Sequence, residues 1–333
     1  MPSSSGKLAV SYACLLALGP SFRFSTDALG EGQLEGSVWR GDIFLKGYGD
    51  PMLSTLDLLR LASQLYGQGI RRVSGQIVGD ESFFDARRTA PGWKPWYFMN
   101  ESAPLSALTV DRARYRGRVT REPALAAALS FRAALLRAGI SVAGRAMTGT
   151  ADAAAVPLAT TESVPLEQIL RFMDHESDNF TAEILLKQLG AGFALQGTTA
   201  AGAEVVHRLL AEQQIPLAGV RIVDGSGLSR LDRLTAASVV GMLRSSWLDQ
   251  DLREILIASL PVAGRSGTLG RRMRGTAAAG RVRAKTGTLN VASALSGYAR
   301  RRYAFSIIQN GSPVSHFWAR RAQDRFAAVL AAN

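Results

Sequence analysis

Apolar residues at Leu8, Val10, Ala13, Leu15, Leu16 and Leu18 follow a helical spacing that starts at Ser4 and is closed by Gly19-Pro20. From Phe22 to Lys46 the pattern turns strand-like, with glycine punctuation, and Gly47 to Pro51 reads as a turn. Ser54 then caps a helix reaching Leu65, with Leu56, Leu59, Leu61 and Leu65 as its apolar stripe. Val73 to Val78 alternates as a strand. Residues 83–105 are loop-like and aromatic, and Pro123 to Gly139 is an amphipathic helix ended by its glycine. Thr150 to Ala159, rich in alanine, reads as a weakly structured connector. Pro165 to Leu189 is helical with a polar interruption at 174–179, and further helices follow Thr235 and span Leu252 to Leu260. Three strands close the pattern, at Arg281–Thr286, Ala292–Tyr298 and Tyr303–Ile308, before a C-terminal helix from Ser315. No internal repeat or heptad is apparent.

A chain of 333 residues with this order of elements is expected to form two domains. Its 47% hydrophobic and 20% charged residues are ordinary for a globular protein. No apolar run reaches the roughly 18–20 residues that a membrane span requires. A net charge of +12 raises nucleic acid as a partner, but the basic residues are almost all arginine and are spread along the chain. Only short groups occur, such as Arg271-Arg272 and Arg300-Arg301-Arg302, without a recognition helix or single-strand-binding motif, so no nucleic-acid partner is expected. An anionic cell-wall polymer or lipid headgroups suit such a charge as well. Cys14 is the only cysteine, and His175, His207 and His316 show no ligand spacing, so neither a disulfide nor a metal is expected.

Three short motifs carry the candidate chemistry. Ser4-Ser5-Gly6-Lys7 begins a helix, and a three-residue helical step puts an amine beside a hydroxyl, the arrangement in which a lysine deprotonates an attacking serine. Ser177-Asp178-Asn179 offers a proton-relaying hydroxyl and an amide that can hold a substrate, although all three residue types also favour a helix N-cap. Lys285-Thr286-Gly287-Thr288 lies on a strand before a turn, where a cation with flanking hydroxyls suits a carboxylate and Gly287 allows close backbone approach. The chain has only five lysines, Lys7, Lys46, Lys94, Lys187 and Lys285, and two of them fall at these motif positions.

The ordered set S-x-x-K, S-D-N and K-T-G resembles that of penicillin-binding proteins and serine β-lactamases. The long separation of the first two motifs resembles the class C low-molecular-mass penicillin-binding proteins, the D-alanyl-D-alanine carboxypeptidase/endopeptidase family. Gly49-Asp50-Pro51, Asp80-Glu81-Ser82-Phe83-Phe84-Asp85, Ala103 to Leu108 and Asp224-Gly225-Ser226-Gly227-Leu228-Ser229-Arg230 are similar to that family too. The resemblance implies an α+β multidomain fold: a β-lactamase/transpeptidase-like domain with an antiparallel sheet flanked by helices (1–25 and 160–333), and an inserted smaller α/β domain (26–159). It implies a serine enzyme that hydrolyses peptidoglycan stem peptides ending in D-Ala-D-Ala, or their cross-links, through an acyl-enzyme, and that β-lactams acylate as covalent inhibitors. Ser4 would be the nucleophile, Lys7 the base, Ser177 the proton relay, and Asn179 the amide holder. Lys285, Thr286 and Thr288 would hold the terminal carboxylate beside Gly287, with an oxyanion hole from the Ser4 and Thr288 amides. Asp80 and Phe84 match positions that contact the free amino end of the stem-peptide side chain. No cofactor or metal is required, and the family implies a periplasmic or extracellular location.

The sequence also departs from the family. Glu122-Pro123 imitates a deacylating glutamate loop, but it precedes Ser177 instead of following it, and reads as a helix start. Ser5-Gly6 are smaller than the family prefers. The chain has three residues before its S-x-x-K motif and no leader pattern, and the expectation is a start assigned too late in a longer secreted protein. The alternative function is a truncated, inactive peptidoglycan-binding remnant.

Overall fold

The computed structural model describes Met1–Asn333. A 3₁₀ turn at Ser3–Gly6 leads into α1 (Lys7–Leu18), followed by β1 (Ser25–Glu35), β2 (Val38–Gly47) and α2 (Thr55–Gly67). Next come β3 (Arg72–Val73), β4 (Ile77–Asp80), a small hairpin of β5 (Arg114–Tyr115) and β6 (Arg118–Val119), and α3 (Pro123–Arg137). β7 (Ser141–Val142), β8 (Ala146–Thr148) and β9 (Val156–Glu162) precede α4 (Leu166–Glu176), α5 (Asn179–Ala194) and α6 (Thr199–Glu212). The chain ends with α7 (Ala236–Leu248), α8 (Arg253–Ser259), β10 (Val282–Leu289), β11 (Ala292–Ala299), β12 (Tyr303–Asn310) and α9 (His316–Ala332).

These elements form two compact units, one of residues 1–22, 90–95 and 165–333, the other of residues 23–89 and 96–164. The short stretch 90–95, which the sequence pattern leaves inside the insertion, groups with the first unit. There Trp93 donates its indole N–H to Asp224 at 2.9 Å.

In the first unit, α1 is buried from Lys7 through Leu15, as expected of a helix that is apolar on all sides. It packs against α4, α5, α6 and α7. Antiparallel β10, β11 and β12 form the sheet, in that order, and every residue of β11 is buried. Val282, Ala284, Leu295 and Phe305 of the sheet join Ala327 and Ala331 of α9 in one apolar cluster.

The second unit is built on a seven-stranded sheet. β1 pairs antiparallel with β2 on one side and β9 on the other, while β3 and β4 pair parallel with β2. The pairs β3/β4 and β7/β8 are each one strand interrupted at a glycine, and each follows a helix, α2 or α3. A Cβ on Gly75 would lie 2.3 Å from the Gly41 carbonyl oxygen, and one on Gly144 would lie 2.2 Å from that of Gly75. Only glycine lets the backbones cross so closely, and the strand expected over 73–78 is therefore broken. The capping box at the start of α2 pairs Ser54 with Asp57, and α3 opens with Pro123 at its first turn, as the pattern indicates.

The structure departs from the sequence pattern at two further places. The alanine-rich connector is half strand: β9 pairs with β1 over Ser25 to Gly30. Helix α6 is not among the expected elements: its first turns are made of small residues, among them Gly202, although Val205, Val206 and Leu210 bury one face.

Candidate active site

All three motifs fall in the first unit. The S-x-x-K motif does not begin in an α-helix; Ser3–Gly6 is a 3₁₀ turn that passes into α1 at Lys7. In a 3₁₀ turn side chains three apart eclipse, so Ser4 and Lys7 share a face. Ser3 holds a left-handed φ of 53°, rare for a residue with a side chain.

Two glycines make room for this turn. A Cβ on Gly227, whose φ is +76°, would sit 2.0 Å from the Ser3 carbonyl oxygen. A Cβ on Gly287 would meet the Pro2 carbonyl oxygen at 2.8 Å and the Ser5 nitrogen at 3.1 Å. The D-G-S-G run and the K-T-G strand thus both lie against the backbone that carries Ser4.

Ser177-Asp178-Asn179 is a junction between two helices, not the interior of one. Ser177 ends α4 in the left-handed conformation (φ 57°, ψ 40°), Asp178 caps α5 by accepting from the Thr181 N–H at 2.7 Å, and Asn179 is the first residue of α5. The capping preference and the chemical reading therefore divide among adjacent residues.

The Lys7 ammonium is fully buried and donates to Asn179 Oδ1 and to the Ser226 carbonyl, each at 2.7 Å. Burial pulls its pKa down to about 8, against the opposing charges of Asp224 and Asp178. A neutral amine has two N–H bonds and one lone pair. The two acceptors satisfy both N–H bonds, and the lone pair is left to take a proton. Lys285, also fully buried, donates to Ser177 Oγ at 2.7 Å and to the Thr286 carbonyl at 3.1 Å. Burial and then the charge of Lys7 bring it down to about 7, with Asp174 opposing. Because Lys285 donates to Ser177, that hydroxyl keeps its own proton to give elsewhere.

Ser4, Ser177, Thr286 and Thr288 line one cleft of about 380 Å³, together with Thr268 and three arginines, Arg271, Arg272 and Arg320. Thr286 Oγ1 and Thr268 Oγ1 are 2.9 Å apart. Arg272 is held by Asp324 at 2.6 Å.

Behind the cleft lies a buried carboxyl framework, of which the sequence reading reached only Asp224, as the first residue of a family-like run. Glu183 accepts from the Gly225 and Ser226 N–H groups at 3.0 and 2.8 Å, fixing the residue whose carbonyl accepts a Lys7 hydrogen bond. Asp224 accepts from Gly227, Ser229 and Trp93. Burial, reinforced by Asp224, raises Glu183 to about 8 and Asp232 to about 10. The sequence signal for Glu183 was its place one helical turn after Asn179. For Asp224 it was the dense run of turn-formers that follows.

Asp80 and Phe84 belong to the second unit. Asp80 is fully buried at the end of β4 and receives Lys46 Nζ at 3.1 Å, the Ser82 N–H at 2.8 Å and the Ala151 N–H at 3.0 Å. Burial alone would raise this carboxyl, but these bonds outweigh it and the pKa is lowered. Phe84 is buried and stacks at a tilt on Phe83, centroids 5.5 Å apart.

A serine, two buried lysines of lowered pKa and a second serine around one cleft define a serine acyl-transfer enzyme of the penicillin-binding type. The chain belongs to the D-Ala-D-Ala carboxypeptidase 3 (S13) family, whose profile matches residues 1–124 and 117–333. It is a serine peptidase of that family. It is 32% identical over 398 residues to the D-alanyl-D-alanine carboxypeptidase of Actinomadura sp. (strain R39), covering 93% of this chain and 73% of that protein. Among solved structures, penicillin-binding protein 4 of Haemophilus influenzae superposes with a TM-score of 0.85 at 23% identity, over 99% of this chain and 90% of that one. A predatory peptidoglycan endopeptidase of Bdellovibrio bacteriovorus superposes with a TM-score of 0.64 at 19% identity, over 99% and 85%. These likenesses show the fold to be α+β, transpeptidase-like with an extra domain.

Proposed function

We propose that the chain hydrolyses peptidoglycan stem peptides ending in D-Ala-D-Ala, or the corresponding cross-links, and that β-lactams acylate it. One observation carries this reading: the buried Lys7 amine has both N–H bonds satisfied by Asn179 and Ser226, one 3₁₀ turn from Ser4. Ser4 Oγ attacks the penultimate D-Ala carbonyl and passes its proton to Lys7. The developing oxyanion is held by the Ser4 and Thr288 amides, and the close approach of Gly287 to the Ser3–Ser5 backbone supports that pairing. Ser177 protonates the departing D-Ala nitrogen. Asn179 orients the peptide amide, and Lys285 with Thr286 and Thr288 receives the terminal carboxylate. Water then cleaves the ester.

We assign Asp80 to holding Lys46 and the start of the 151 loop, with any contact to the stem-peptide side chain secondary to that. A substrate of this kind places the enzyme in the periplasm or outside the cell. In support, the Haemophilus protein has been solved with a β-lactam, and a Bdellovibrio relative has been solved acylated by penicillin G. Fluorescent penicillin tests the proposal. The expected result is one covalent label per chain, lost in Ser4→Ala with the fold retained. A folded parent that takes no label would overturn it in favour of a non-catalytic peptidoglycan-binding protein.

A further inference from the structure

A second cleft, of about 550 Å³, opens at the other end of the β10–β11 pair from Gly287, where Val282 pairs with Ala299. Arg281, Arg283, Arg300 and Arg301 line it, and its single carboxylate, Glu254, is ion-paired with Arg301. Ile257, Ala258 and Tyr298 form an apolar wall. Two more guanidinium groups crowd the same place. Arg265 lies over Gly280, where a Cβ would be 2.6 Å from its Cζ, and Arg171 acts on Arg283. Arg283 is partly buried, and burial, then Arg301 and Arg171, hold it below the usual guanidinium value.

The backbone supplies an independent observation. Arg302 N–H bonds to the Ala299 carbonyl at 3.0 Å, closing a β11–β12 turn whose central residues, Arg300 and Arg301, have φ of 51° and 56°. Left-handed φ at both central positions is the type I′ geometry, which favours Asn-Gly. Arginine there gives up turn stability, and both residues line the cleft, Arg300 donating to the Ala332 carbonyl at 3.2 Å and Arg301 paired with Glu254. Crowded like charges and a strained turn, both kept on one cavity, mark a site for an anion.

We propose that this cleft binds a phosphate group, as the free ion or as a monoester borne by a soluble ligand, independently of the catalytic cleft. A phosphate offers several oxygens at once to planar Arg donors, whereas one carboxylate cannot engage four of them. The volume leaves space for a glycerol- or sugar-sized substituent against the Tyr298 wall.

The test is calorimetric titration of the full chain with inorganic phosphate, glycerol 3-phosphate and acetate at matched ionic strength. Phosphate is expected to bind at one site per chain, at least tenfold tighter than acetate. Glycerol 3-phosphate binding more tightly than phosphate would assign the source to an ester, and equal binding would assign it to the free ion; both support the site. The double variant Arg300→Asn/Arg301→Gly is expected to melt higher than the parent without phosphate, to lose at least tenfold in phosphate affinity, and to keep its penicillin labelling. Arg283→Gln should lose phosphate affinity as well. Phosphate binding no tighter than acetate, or unchanged in the double variant, would overturn the proposal. So would binding to phosphatidylglycerol vesicles that free phosphate does not displace.

Discussion

The chemistry turns on one nitrogen. Lys7 has its pKa lowered to about 8 because burial penalises its charge more than the charges of Asp224 and Asp178 favour it. Only the neutral amine can take the Ser4 proton, so the reactive fraction grows with pH through that value. At saturating penicillin, the acylation rate is therefore expected to rise between pH 6 and 9 with a midpoint near 8. Stopped-flow acylation across that range is the measurement, and a flat profile would remove Lys7 from the role of base. Saturation matters because Lys285, lowered to about 7, must be charged to receive a carboxylate. The arriving anion restores that charge, so its titration enters the binding step and not the saturated rate. Ser177 belongs to the same economy of strain: a left-handed serine persists because the α4–α5 junction over-determines it, at a cost of about 1–3 kcal/mol.

At the scale of elements, glycines decide where the nucleophile sits. Gly227→Ala would drive a methyl group into the Ser3 carbonyl, 2.0 Å away, and backbone cannot yield as a side chain can. Displacement of the Ser4 turn by about 1 Å should lower the acylation rate by about 10²-fold. Gly36→Ala is the matched control: its φ is +60° but nothing lies within 4 Å, so it should cost about 1–2 kcal/mol of stability and leave acylation unchanged. Equal acylation by both variants would mean that Gly227 does not position Ser4. This dependence on close approach also explains what the sequence could and could not show. Apolar patterning marked α1, α2, α3, α7 and the three C-terminal strands, because each sends apolar residues into a core, α1 and β11 on every side. It left out α6, whose stripe of Val205, Val206 and Leu210 follows a first stretch of small residues set by close packing, since a Cβ on Gly202 would meet the Leu186 carbonyl at 1.9 Å. It likewise missed β9, whose exposed Val156 and Pro157 edge the sheet with little apolar alternation. The motif residues were legible because their chemistry requires particular side chains. The role of Glu183 was not, because what it binds is backbone, which leaves no side-chain pattern in sequence, and Asp224 was visible only within its D-G-S-G run.

The whole molecule carries an unusual load of buried titratable groups, and its stability should follow them with pH. Burial raises Glu183 to about 8, Asp174 to about 6 and Asp50 to about 7, each well above its ordinary value. The folded protein therefore holds protons that the unfolded chain has released. Stability from these groups is complete below the ordinary carboxyl range and is lost as pH rises through the folded values. The lysines work the other way and later. Lys7 and Lys285 are depressed, so their cost is constant in acid and is relieved only as pH climbs from about 7 or 8 toward 10.5. The two trends predict a urea midpoint that falls from pH 5 to pH 8, by at least about 2 kcal/mol in unfolding free energy, and then turns upward as relief of the two lysines outweighs the remaining loss at Asp232. A midpoint that is flat or rises over that interval would show that the carboxyls are not held protonated. The two units should also differ. Asp174, Glu183 and Asp232 lie in the first and only Asp50 in the second, so hydrogen exchange should find the steeper loss in the first. Glu183→Gln sharpens the test: its carbonyl oxygen can still accept from Gly225 and Ser226 but cannot titrate. The variant should lose part of the pH slope in the first unit alone.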